Sequence, residues 1–137
     1  MNTANKTKED YVLETEETYK KVYGKSLPSD LECPNFDELS DLAVSAWADI
    51  VNILIVTDSV YTGGCKTFYS PKEWKDRKEE YATDSELVIV HDGGEVAPFF
   101  NWDYEDTFKI DLGSDLGTNQ GWFVEGCTCW YSAVYKL

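Results

Sequence analysis

The stretch Leu87-Val-Ile-Val-His-Asp-Gly-Gly-Glu-Val-Ala-Pro-Phe-Phe-Asn-Trp102 constrains the fold more than any other part of the chain. Val, Ile and Phe supply β-branched and aromatic packing on both sides of Asp92-Gly93-Gly94, and an Asp-Gly turn accepts the positive φ angles of a tight hairpin. The stretch therefore predicts a β-hairpin over 87–101. A second hairpin is predicted over 121–136, joined near Gly126. There Trp130, Ser132, Val134 and Lys136 alternate with Tyr131, Ala133 and Tyr135, as in a strand with one more heavily buried face.

Helical signals fill the rest. Tyr11, Val12, Thr15, Tyr19, Val22 and Tyr23 share one face of a helix over 8–23, with Gly24 as its stop. The segment 25–34 carries two prolines and reads as a connection. Asn35 is a good N-cap, and the period of Phe36, Leu39, Leu42, Ala43, Ala46, Trp47, Ile50, Ile53 and Leu54 predicts a second helix from there to about Leu54. Residues 57–69, with Gly63-Gly64, read as a loop or short irregular hairpin. Ser70-Pro71-Lys72-Glu73 is a capping box with proline at the first helical position, which predicts a helix running to about Tyr81. Tyr104, Phe108, Leu112 and Leu116 recur every four residues and predict a helix over 103–118. The sum is an α+β fold: about four mostly antiparallel strands, in two hairpins near 87–101 and 121–136, with three to four helices packed against the sheet. Residues 1–137 are expected to form one domain.

The chain carries 26 acidic and 12 basic residues, a net charge of −14 at pH 7. That field argues against direct binding to nucleic acid or to an anionic membrane and favours basic partners. No apolar leader is read at the N-terminus, and the longest apolar run, Ile50 to Val56, falls far short of the roughly 20 residues that span a bilayer. The expected location is the cytoplasm, with Cys33, Cys65, Cys127 and Cys129 as free thiols.

Several chemistries are weighed against these residues. His91, the only histidine, beside Asp92, together with Cys127 and Trp102, outlines a cleft for a small enzyme or ligand-binding domain, if the fold brings them together. Cys127-Thr-Cys129 invites zinc, but the other cysteines are solitary and distant, so no metal is expected. Gly63-Gly64 and Gly93-Gly94 lie outside any nucleotide-binding motif, and Asp92-Gly93-Gly94-Glu95 is too short for a calcium loop; no cofactor is expected. Trp102-Asp103-Tyr104-Glu105-Asp106 has the ingredients of a glycosidase cleft, a coincidence that is cheap in an acidic chain.

The distribution of charge says more. Residues 82–137 contain ten acids against Lys109 and Lys136, whereas residues 71–81 are neutral. Asp103, Glu105, Asp106, Asp111 and Asp115 fall together, and Asp37, Asp41 and Asp49 recur along the second helix at intervals of about 6 or 12 Å. Carboxylates so spaced imitate a nucleic-acid backbone, and these eight are the expected partner-binding residues. In size, acidity and aromatic content, though in no residue motif, the chain is similar to small proteins of phages and mobile elements that inhibit nucleic-acid-binding defence enzymes, including DNA mimics and anti-CRISPR proteins. That likeness implies a non-catalytic inhibitor whose partner is a basic nucleic-acid-binding protein or nuclease complex, and it carries over no site residue. A homodimer through the aromatic sheet face is a third alternative.

Overall fold

A computed structural model describes residues 6–100 and 120–137. Helix α1 (Lys8–Tyr23) opens on a reciprocal cap: the Thr7 hydroxyl accepts from the Asp10 N–H at 3.2 Å, and the Asp10 carboxylate accepts from the Thr7 N–H at 3.0 Å. It closes at Gly24, in the left-handed region at φ 71°, whose N–H returns to the Lys20 carbonyl. Both ends match expectation.

The second helix starts later than Asn35. Residues Phe36–Glu38 make only a 3-10 turn, and the Asn35 side chain makes no capping bond. The chain extends at Leu39, which is buried, and restarts at Ser40, whose hydroxyl accepts from the Ala43 N–H at 3.0 Å. Burying Leu39 and recruiting a better cap outweigh continuity of the apolar period. Lys8 fixes this kink by donating to the Phe36 and Leu39 carbonyls at 3.1 and 2.9 Å. Helix α2 (Asp41–Val56) then runs past Leu54 through Ile55 and Val56. Nine of its sixteen residues are buried, so tertiary packing overrides the β-propensity of its last turns.

Four strands form one antiparallel sheet in the order β1 (Phe68–Tyr69), β2 (Leu87–Val90), β4 (Tyr131–Lys136), β3 (Trp122–Gly126). The pleat sorts their side chains into two cores. Leu87, Ile89, Trp122 and Val134 pack with α2, while Val88, Val90, Tyr131 and Ala133 pack with Trp74 on the opposite face. The 121–136 hairpin is present, with Trp122 opposite Lys136 and Gly126 opposite Ser132.

The 87–101 hairpin is not. β2 is a strand as expected, but its partners are β1 and β4, so both of its hydrogen-bonding edges are occupied and none is left for residues 95–101. Ala97–Phe100 instead forms a turn of helix, α4, and the fourth strand is β1, at the end of the segment read as a loop or short irregular hairpin. Pro98 was the available warning, since it has no N–H to give a ladder. The turn glycines serve a different contact. Gly94, at φ 67°, lies so close to the 61–63 backbone that a Cβ there would strike the Tyr61 carbonyl and Gly63 nitrogen, and the Glu95 N–H donates to that same carbonyl.

Helix α3 (Pro71–Asp76) has the expected capping box, Ser70 with Glu73, but stops short of Tyr81. Lys78 and Ala82 take positive φ angles of 66° and 64°, turning the chain back over Trp74. The Trp74 indole N–H donates to the Tyr81 carbonyl at 2.9 Å and pins the returning segment.

Candidate functional site

The returning segment faces the β3–β4 turn across an open recess of about 720 Å³ on the sheet face away from α2. Glu80, Tyr81 and Asp84 form one wall. The other is built by strand alternation: β4 sets Tyr131 and Tyr135 on either side of Ala133, and β3 sets Glu125 opposite Ala133 on the same face. The turn between them is held by Thr128, whose hydroxyl accepts from the Trp130 and Tyr131 N–H groups, and it places Cys127 at the rim.

Glu80, Asp84 and Glu125 make the recess anionic, and no Lys or Arg among the described residues lines it. Burial, then Glu125 and Asp84, push the Cys127 thiol up to about 11, so it is protonated at neutral pH and is a poor nucleophile. Tyr135 is pushed up to about 12 by burial and by Asp84, whose carboxylate accepts its hydroxyl hydrogen at 3.4 Å. Tyr131 is only 4% exposed, with its ring 5.0 Å from Trp74 and 4.6 Å from Trp130. It too is raised, by burial and then by Cys127, Glu79 and Tyr81.

No protein-family model, curated protein or solved structure matches the chain. Its chemistry is therefore read from its own residues.

His91 and Cys127 are not brought together. His91 is 1% exposed on the α2 side, stacked on Phe100 at 5.3 Å with its Nε2 2.9 Å from the Ser132 hydroxyl, whereas Cys127 packs with the Trp74 cluster on the other face. Burial lowers the His91 pKa to about 4 and its Nδ1 has no partner among the described residues, which marks a neutral core ring. Among the described residues no group of His, Cys, Asp and Glu is arranged to hold a metal ion.

Of the expected partner-binding residues, Asp37 and Asp41 are exposed, on the 3-10 turn and at the start of α2. Asp49 is only partly exposed, and burial raises its carboxyl, opposed by Lys6. Trp102, Asp103, Glu105, Asp106, Asp111 and Asp115 lie outside the described residues, as does the 103–118 helix. Glu80, Asp84 and Glu125 were missed as a group because their proximity depends on the early end of α3. The one local signal was the Tyr131/Tyr135 alternation beside Glu125.

Proposed function

We propose that the chain is a small cytoplasmic binding protein that acts without catalysis, an inhibitor that occupies the nucleic-acid channel of a basic partner. Inhibitors of this kind serve phages and mobile elements against restriction and CRISPR enzymes. One observation carries the reading. The five ion pairs among the described residues, Lys6–Glu14, Lys66–Glu73, Lys72–Glu38, Lys72–Asp76 and Arg77–Glu79, all lie before residue 80. Asp84, Glu86, Asp92, Glu95 and Glu125 have no such counter-charge among the described residues, and the further acids Asp103 to Asp115 add to the same half of the sequence. Acids left without internal cations project a field that steers basic partners and repels nucleic acid. Consistent with this, no helix among the described residues is long and apolar enough to cross a membrane.

The test is capture from host lysate on the immobilised chain at two ionic strengths. A basic nucleic-acid-binding protein is expected at low salt and is released at high salt, and charge reversal at Asp103, Asp106 and Asp111 abolishes its capture. Capture of no such protein, or equal capture by the reversed chain, overturns the proposal.

A further inference from the structure

We propose that β3 is a docking edge for the partner: an extended segment of the partner pairs with residues 123–126 as a fifth, antiparallel strand and sets a Lys or Arg side chain opposite Glu125. The proposal rests on the binding reading above and names how the partner is gripped.

The hydrogen-bond register leaves that edge open. β3 ends the sheet, with β4 on one side and no strand among the described residues on the other. The Leu137 N–H donates to the Gly121 carbonyl and the Cys127 N–H to the Tyr131 carbonyl, so Phe123 and Glu125 between them turn their N–H and C=O groups toward β4. Those of Val124 and Gly126 turn outward, and they have no partner among the described residues. Trp122 is buried and marks where the open stretch begins. Nothing in the strand itself blocks pairing: it has no proline or lysine, its register is unbroken, and the exposed Gly126 lets a second backbone approach. Outward donors and acceptors in a row are a template for another strand, and this ground is independent of the acidic charge.

The side chains indicate what that strand carries. Residues 123 and 125 share the sheet face away from α2, where the Phe123 ring lies 5.7 Å from Tyr135 and the exposed Glu125 is the one charge of β3. In the new pairing residue 125 occupies a site without backbone hydrogen bonds, where facing side chains come closest, so a cation there meets the carboxylate directly. Phe123 faces the side chain two positions further along the incoming strand. The partner's segment therefore runs cation, any residue, apolar residue from N- to C-terminus. A second copy of the chain is the poorer occupant. Pairing about Val124 would set each Glu125 against Phe123, and each copy brings a net charge of −14.

The experiment is amide hydrogen exchange on the full chain, free and titrated with the capped peptide Thr-Arg-Val-Phe-Thr, beside the same peptide with Glu in place of Arg and a third N-methylated at its valine. In the free chain the Phe123 and Glu125 N–H groups are expected to be protected and those of Val124 and Gly126 to exchange freely. The arginine peptide should protect Val124 and Gly126 saturably. The Glu peptide should bind about two- to fivefold more weakly, as for one cross-strand charge pair, and the N-methylated peptide about fivefold more weakly or worse, having lost a backbone donor. Glu125→Lys, at an exposed position, should reverse the order of the Arg and Glu peptides, and Val124→Pro, which removes only an outward N–H, should abolish binding of all three. Protection of Val124 and Gly126 in the free chain, no saturable protection by the arginine peptide, or a peptide order that Glu125→Lys leaves unchanged would overturn the docking edge. Undiminished capture of a basic protein by Val124→Pro sinks the edge alone, and peptide docking without any captured basic protein sinks the broader function alone.

Discussion

His91 holds its ring between Phe100 and the Ser132 hydroxyl with one nitrogen unsatisfied, so protonation in place would put an unpaired charge in the core. The folded chain titrates this ring at about 4, against 6.5 for an ordinary histidine. On acidification the unfolded chain therefore takes up the proton first. The stability contributed by the neutral ring is complete above pH 6.5 and is lost as the pH falls toward 4. Urea unfolding of the wild type and His91→Gln at pH 7.5 and 4.5 should show the wild type losing about 2–3 kcal/mol more than the variant. Parallel losses would mean that the ring is charged without penalty. At this scale the sequence was partly legible: it singles out the lone histidine, but only the pleat shows that His91 and Cys127 lie on opposite faces.

Elements announced by local chemistry were readable, and those decided by competition for partners were not. Thr7, Gly24, Ser70 and Pro71 mark helix ends through bonds to near neighbours, which a sequence records directly. The failed hairpin was decided elsewhere, by Phe68, Tyr69 and the 131–134 segment occupying both edges of β2. Alternation and turn chemistry identify a strand without naming its neighbours. The early end of α3 goes with a side-chain bond that helical periodicity does not record, from the Trp74 indole to the Tyr81 carbonyl seven residues on. Gly94→Ala probes the loop docking that replaced the hairpin. The alanine would meet the backbone of residues 61–63 at a positive φ, so a loss above about 3 kcal/mol is expected. Gly24→Ala, at a similar φ but with nothing within 4 Å, should cost only about 1 kcal/mol. Equal losses in chemical denaturation would show that the 61–63 contact contributes nothing.

For the whole molecule, fold class was legible because apolar patterning and capping set it, and an α+β protein with a four-stranded antiparallel sheet is what forms. The acidic excess was legible as well, but its grouping was not. Charges far apart in sequence, such as Asp84 and Glu125, meet only through the sheet. In the proposed function, the mimicry of phosphates by carboxylates that lack internal counter-charges is the essential feature. It is tested most directly by competition, with the captured basic protein holding labelled double-stranded DNA while the purified chain is titrated in at increasing ionic strength. The chain should displace the DNA, and its apparent affinity should fall steeply and linearly on a log–log plot against salt. A complex in which chain and DNA are bound together, or an affinity that ignores salt, would contradict it.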